Sequence, residues 1–473
     1  MRKARQLQGK ILIADAIATN RIVLKVKLKK AYYDVFLAAT MADALALTES
    51  ERPDLIICAL DLPGGGAADL CRALTADVST EHIPIIATGS QTDGATRLQT
   101  LHAGVRDVLD QPVDEMLLLG RVRSLVRAHN ATAEWQMRED TCRALGLAED
   151  SSVFDEQGSC ALISDDHSLL QSCANALRPE LHTKLTLANA ASALASVGIA
   201  PVPDVFVLIL PDDRDAASEK LRLISTLRAN AMTRHSGVIA VQSSEDGHLG
   251  AHALDLGADD LMTKGFNARE LALRTRAVLR RKKTSDRLRA TVRTGLQAAV
   301  FDPLTGLYNR RYAMPHLDRV AAHAKAQGRR FAVMLLDLDH FKQINDVYGH
   351  AAGDAVLVEV AARLRRAMRG TDMVARIGGE EFLIIMPGMS GSEAHEAAVR
   401  ICGDISSAPF TVPEHQFQIH VTTSIGMAVG SVNAASADDS KLDGAALLAQ
   451  ADRALYAAKG RGRNQVNVGR PAA

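Results

Sequence analysis

At 473 residues the chain is too long for one hydrophobic core, and length alone implies about three domains. Lys plus Arg equals Asp plus Glu at 55 each, and 47% of the residues are apolar, which is ordinary for a globular protein and offers no electrostatic case for bulk nucleic-acid or anionic-membrane binding. The strongly apolar runs, such as residues 205–210, are far short of the roughly 20 residues that a membrane helix needs, and no signal peptide is visible, so a cytoplasmic protein is expected.

Short apolar runs at residues 10–14, 54–58, 83–87 and 105–109 alternate with helix-length stretches. Strands spaced in this way predict βαβ units and a parallel sheet covered on both faces. The pattern returns at residues 160–164, 204–210, 237–241 and 259–262. A period of about 150 residues is too long for a solenoid and reads as domain duplication. The polar stretch at 131–150 predicts a helical linker between the copies. Six cysteines, Cys58, Cys71, Cys142, Cys160, Cys173 and Cys402, lack CxxC or Cys/His spacing and read as buried, reduced thiols.

Residues 268–300 are charged and free of proline, with Leu271, Val278, Leu288, Val292 and Leu296 at helical spacing. They predict a long helix joining the second and third domains, one that either pairs with its twin in a dimer or packs on its own domain. From Phe301 the rhythm changes. A strand is expected over 331–338, an amphipathic helix over 355–368, and strands over 373–377 and 382–386. The intervening Gly378-Gly379 predicts a hairpin whose tight turn uses the positive φ that glycine allows. The element order suggests an antiparallel or mixed sheet with helices on one face.

Glu380 and Glu381 follow those glycines, and two carboxylates at a hairpin tip could simply be solvated. Their neighbourhood argues otherwise. Asp337 and Asp339 interrupt an apolar strand, where a carboxylate is costly unless a cation or donors meet it. Asp337 beside a hairpin glutamate would make an all-oxygen pocket suited to Mg²⁺. Two such ions can hold a triphosphate, activate an attacking hydroxyl and stabilise leaving pyrophosphate.

Gly378-Gly379-Glu380-Glu381-Phe382 is the GGEEF form of the GGDEF signature, and further motifs accompany it. Residues 302–311, DPLTGLYNRR, resemble the family's opening DxLTGLxNRR, and residues 337–346, DLDHFKQIND, resemble its D-x-D-x-F-K-x-x-N-D. The closing stretch 451–464 agrees as well. Residues 301–468 therefore resemble a diguanylate cyclase domain, which implies a palm-like α+β fold that joins two GTP into cyclic di-GMP. The resemblance implies that Asp337, Glu380 and the Leu338 carbonyl hold two Mg²⁺ ions, with Mn²⁺ as a substitute. It also implies that Glu380 or Glu381 assists deprotonation of the ribose 3′-OH, and that Asn345 and Asp354 read guanine. Phe341 and a catalytic Lys342 would meet phosphates, while Lys459 and Arg463, four apart on one helical face, would neutralise the β- and γ-phosphates. Arg369-Gly370-Thr371-Asp372 is an RxxD sequence five residues before Gly378. At that spacing the resemblance implies a product-inhibition site of Arg369, Asp372 and Arg400.

The first two segments resemble flavodoxin-like receiver domains, so the whole chain is similar to the PleD-type receiver–receiver–GGDEF response regulators. Both receivers depart from the pattern. Ala59 stands where the phosphoacceptor aspartate belongs, Ala14 leaves only Asp15 of the acidic pair, and Gln111 replaces the lysine. Asp61 lies two residues on, about 7 Å along a strand and outside the same pocket. The second copy keeps Asp165, Asp166 and Lys264, which are expected to satisfy one another, yet it has Ile209 at the acceptor position, with Asp212 and Asp213 beyond Pro211. No phosphoacceptor is expected in either.

The expected organisation is a receiver at 8–130, a helical linker at 131–157, a receiver at 158–283, a linker helix at 284–300 and the cyclase domain at 301–473. The expected function is a dimeric cyclase with product inhibition and no aspartyl-phosphate switch, its receivers serving for dimerisation and for docking a possible protein partner. Two rivals are a catalytically silent cyclic di-GMP receptor that uses only Arg369, Asp372 and Arg400, and a phosphorylation-driven regulator acting through a partner. Phosphodiesterase chemistry has no motif to support it.

Overall fold

The computed structural model describes every residue except 1–7, 78, 91, 145–157, 196–200, 244–245, 412–417, 431–442 and 470–473. The chain divides into two compact units, the first carrying two five-stranded sheets and the second carrying the rest from Arg293.

The first sheet consists of β1 (Lys10–Ala14), β2 (Asp34–Ala38), β3 (Leu55–Ala59), β4 (Ile85–Ser90) and β5 (Asp107–Gln111), all parallel, in the order β2-β1-β3-β4-β5. The second repeats this topology with β6 (Ser159–Ile163), β7 (Lys184–Ala188), β8 (Val205–Ile209), β9 (Gly237–Val241) and β10 (Asp260–Met262), in the order β10-β9-β8-β6-β7. Central β3 and β8 are buried at every position, which explains their unbroken apolar runs. Sequence analysis missed β2 and β7. Both are partly exposed edge strands; β7 is mixed in composition, whereas β2 carries the short apolar run Val35-Phe36-Leu37-Ala38, which was not assigned.

The helix Glu115–Ala144 carries the chain out of the first receiver. It covers the expected linker as far as Ala144, and residues 145–157 of that linker lie outside the described residues. A second long helix spans Ala268–Val300. Its Leu271 and Val278 are buried in the core of the second receiver, so this part packs on its own domain.

The two receivers meet through a buried ionic network with pseudo-twofold symmetry. Asp107 and Asp260 open β5 and β10, and Arg121 and Arg274 hold equivalent places on the helices that follow. Arg121 Nε lies 2.6 Å from Asp107 and its Nη1 2.6 Å from Asp260. Arg274 lies 2.6 Å from Asp107 and 2.8 Å from Asp260. Glu270 joins Arg274 at 2.8 Å to Arg97 at 3.0 Å. Burial works against the Asp260 charge, yet Arg274 and Arg121 more than offset it and hold the carboxyl at about 2.

The third sheet contains β11 (Tyr308–Asn309), β12 (Phe331–Leu338), β13 (Met373–Arg376), β14 (Glu381–Pro387), β17 (Thr423–Gly430) and β18 (Val466–Val468), in the order β11-β13-β14-β12-β17-β18, and β15 (Phe410–Thr411) pairs with β16 (Gln418–Ile419) as a separate ribbon. β12 is antiparallel to both β14 and β17, while β11–β13 and β17–β18 are parallel, giving the expected mixed sheet. The expectation of helices on one face is corrected. Met334 and Leu336 point to a core shared with the helices His350–Ala367 and Gly391–Ser406, and Val333 and Leu335 to a core shared with Arg310–Gln327 and Gly444–Gly460. All eight residues of β12 are buried, the mark of a strand covered on both sides.

Candidate active site

Strand register sets the centre of the site. Asp337 on β12 stands opposite Glu381 on β14 and opposite Ser424 on β17. The Asp337 side chain is almost fully buried, with its Oδ2 2.8 Å from Lys459 Nζ. Burial pushes its pKa up, and Lys459 offsets only part of that rise. Glu380 is also raised, by burial first and then by the charge of Asp337. Asp337 and Glu380 thus repel each other, with Lys459 paired to Asp337 and acting on both. This donor set suits a divalent cation that takes one or two carboxylates, a carbonyl and substrate phosphates. Leu338 could contribute only its carbonyl, because its side chain lies in the core. Among the described residues no group of three or more His, Cys, Asp or Glu forms a closed metal cage.

The hairpin is present, but its glycines act differently from expectation. β13 and β14 pair through Arg376 and Phe382, and Ile377 N donates to Glu381 O at 2.9 Å, leaving Gly378, Gly379 and Glu380 as the loop. Neither Gly378 nor Gly379 lies in the left-handed region. A Cβ at Gly378 would stand 2.5 Å from Glu381 Oε2, so a larger residue there would displace the movable end of that side chain.

The helices Phe341–Tyr348 and His350–Ala367 bring Asn345 and Asp354 together. A Cβ at Gly353 would come within 1.9 Å of Asn345 Oδ1, so glycine lets Asn345 lie against the turn that carries exposed Asp354. The Phe341 ring belongs to the core, leaving its backbone N–H as the group available to a ligand, whereas Lys342 is exposed. His340, at φ 58, gives this helix no side-chain cap. Its first N–H groups are therefore available to an anion.

Lys459 and Arg463 do not share a helical face. The helix Gly444–Gly460 ends before Arg463, whose φ is 63. Arg463 still lowers the Asp337 pKa electrostatically, so both cations act on one carboxylate from different elements. Arg369 and Asp372 clasp each other, with Nε–Oδ2 at 3.1 Å and Nη2–Oδ1 at 2.9 Å, and Arg400 is exposed on the helix Gly391–Ser406.

In the first receiver, Asp15 accepts from Ile17 N at 2.7 Å and Asn20 Nδ2 at 3.0 Å, and Asn20 also reaches Gln111 at 3.5 Å. Ala59 ends β3 beside them in the sheet, while Asp61 is exposed outside the strand. In the second, the retained acids and lysine do not satisfy one another, correcting that expectation. Asp165 pairs with Lys220 at 2.5 Å, Asp166 caps the helix His167–Leu177, and Lys264 pairs with Asp110 of the first receiver. Five cysteines, Cys58, Cys71, Cys160, Cys173 and Cys402, are buried free thiols, with Cys58 and Cys160 pushed up to about 12 by burial. Among the described residues, no helix is long and apolar enough to cross a membrane.

The family model for the response regulator receiver domain matches residues 11–123, and that for the diguanylate cyclase GGDEF domain matches residues 299–465. The chain is 36% identical over 468 residues to the response regulator PleD of Caulobacter vibrioides, covering 98% of this chain and 100% of that one. The chain belongs to the PleD family. Like other GGDEF-domain members it is a diguanylate cyclase, in a class of enzymes that is generally metal-dependent. It is also similar to the diguanylate cyclase DgcP of Pseudomonas aeruginosa, at 38% identity over 172 residues, covering 36% of this chain and 24% of that one. Among solved structures, the GGDEF domain of DgcB from Caulobacter crescentus in complex with c-di-GMP is 34% identical and covers 36% of this chain and 93% of that one, with a TM-score of 0.33.

Within this PleD-family cyclase domain, sequence analysis flagged Asp339 but missed Arg376 and the contacts that brace the site. Arg376 donates to Gly379 O from Nε at 3.0 Å and Nη2 at 2.8 Å, and its Nη1 reaches Asp302 at 3.2 Å. The opening motif therefore steadies the hairpin tip. Asp339, buried, accepts from Thr422 Oγ1 at 2.8 Å, Ser424 Oγ at 2.7 Å and Asn464 N at 3.0 Å, fixing the loop that carries Arg463. Its position in an apolar run was the signal available in the sequence.

Proposed function

We propose that the chain condenses two GTP molecules into cyclic di-GMP through two copies of the site centred on Asp337, within domain limits near 8–130, 158–283 and 301–473. The pairing of Asp337 with the hairpin glutamates, under a lysine that can exchange its carboxylate for a phosphate, is the observation that carries this reading. Asp337, Glu380 and the Leu338 carbonyl would hold two Mg²⁺ ions, with Mn²⁺ as a substitute. When bound, such ions neutralise the triphosphate and acidify the attacking hydroxyl. Asn345 and Asp354 orient guanine, a role that suits a carboxylate facing the base's adjacent N–H donors. The N–H groups at Phe341 and Lys342 take phosphate oxygens, and Lys342, Lys459 and Arg463 carry their charge.

The ribose 3′-OH of one GTP attacks the α-phosphorus of the other, a 3′–5′ phosphodiester forms, and the bond to pyrophosphate breaks. Glu380 or Glu381 receives the proton. A second, reciprocal step closes the ring and releases the second pyrophosphate. Each domain holds one GTP, so turnover belongs to a dimer. Arg369, Asp372 and Arg400 would bind product, for which the Arg369–Asp372 clasp must open or present its outer edge. The receivers, with Ala59 and Ile209 at the acceptor positions, would dimerise and dock partners without aspartyl phosphorylation.

Pyrophosphate release from GTP and Mg²⁺ tests the reading. Glu380→Ala should lower turnover at least roughly a hundredfold, the scale of losing a catalytic electrostatic contact. Turnover close to wild type would overturn it in favour of a binding-only domain.

A further inference from the structure

The unit that holds both receivers also encloses a cavity of about 460 Å³ that none of the chemistry above uses. Arg106, just before β5, lines it from one side, and Arg280 and Arg281 line it from the helix Ala268–Val300. The adjacent ionic network is balanced within itself, and only the edge of the Asp260 charge reaches Arg281 and Arg106. Arg97, Arg121 and Arg274 are matched there by Asp107, Asp260 and Glu270. Among the described residues, none of Arg106, Arg280 and Arg281 makes a side-chain hydrogen bond or an ion pair. Among the described residues Glu81 is the only carboxylate on this wall, and it is exposed, while Asp107, Asp259 and Asp260 line a smaller neighbouring cavity that the three arginines also border.

A solvated surface cluster is the plain alternative, since arginines in water are well screened. Arg106 departs from it. The residue is half-buried, and its guanidinium is pulled down to about 10 by burial and then by the charges of Arg281 and Arg280. Arg106 and Arg281 are partly buried and Arg280 is exposed, so three guanidiniums share one wall where two of them are incompletely screened; this favours a multiply charged anion, and their planar forks match phosphate oxygens. The rest of the wall is not built for a bare ion. Leu74, Ile83 and Leu125 supply an apolar side, and the rings of His82 and His129, stacked at 5.1 Å, stand on the same wall. The volume falls in the range of small-molecule sites.

We propose that this cavity binds a small organic phosphate of nucleotide size, its anionic head on Arg106, Arg280 and Arg281 and its body along the apolar wall. Bound there, it ties the first receiver to the helix Ala268–Val300.

Calorimetric titration of the whole chain without Mg²⁺, using AMP, inorganic pyrophosphate and inorganic phosphate, tests this against an Arg106→Gln/Arg281→Gln double variant. AMP should bind wild type roughly tenfold or more tightly than the variant, the scale of one lost charge-assisted contact. Any binding at the GTP site occurs in both chains and cancels. Equal AMP binding by the two overturns the proposal. Inorganic phosphate that binds as tightly as AMP overturns the organic part of it. Without ligand, the variant should melt above wild type, because like charges have been removed; a lower melting temperature would make these arginines structural and sink the site.

Discussion

Lys459 meets Asp337 at 2.8 Å in a place where a divalent ion would seek the same carboxylate. Ammonium and metal therefore compete. Lys459→Met should leave Asp337 with its burial unrelieved and its pKa higher still. A carboxyl with a raised folded-state pKa stabilises the fold below its ordinary pKa, and that stability is lost as pH climbs through the raised value. The variant should thus melt lower than wild type at neutral pH and gain more from Mg²⁺ added without nucleotide. Melting curves with and without Mg²⁺ check this, and equal gains would contradict it. At this scale much of the site was legible in the sequence. Asp337, Glu380, Asn345, Asp354 and Lys459 occupy short motifs with recognisable spacing. The bracing contacts were not, because Arg376 to Asp302 and Ser424 to Asp339 span 74 and 85 residues and depend on strand register. Arg463 was assigned to a helical face because nothing in its spacing reveals a helix that stops at Gly460.

Among the elements, strands with an assigned apolar run were legible, edge strands β5 and β10 included, while β2, β7 and the buried β17 were not. The run in β12 predicted a buried strand correctly, yet its completeness also implied cover on both faces, which the single-face expectation overlooked. The network joining β5, β10 and the helices after them was illegible, since its acids and arginines look like ordinary surface charge in sequence. Its energetics are sharp. Asp260→Asn leaves Arg121 and Arg274 underpaired in a buried setting and should cost about 3–5 kcal/mol. The pH dependence follows from the depressed pKa. Stability from Asp260 is full above its ordinary value and is lost as pH falls from about 4 toward about 2. Scanning calorimetry of the whole chain should show the receiver transition destabilised in that window for wild type and flatter in Asp260→Asn. A variant as stable as wild type at pH 7 would remove the network from the account.

For the whole molecule, the proposed reading places control outside aspartyl phosphorylation. The first receiver keeps Asp15, but Ala59 offers no oxygen to phosphorylate. In the second, Asp165, Asp166 and Lys264 are each engaged elsewhere. Beryllofluoride should leave both GTP turnover and its dependence on chain concentration unchanged, and a several-fold stimulation would restore a phosphoryl switch. The joint between the receivers carries a mechanical corollary. Arg121 and Arg274 each hold both aspartates at once, so a rotation at that seam would strain all four contacts together. Parting the tandem would therefore strip partners from two buried arginines and two buried aspartates in the same movement.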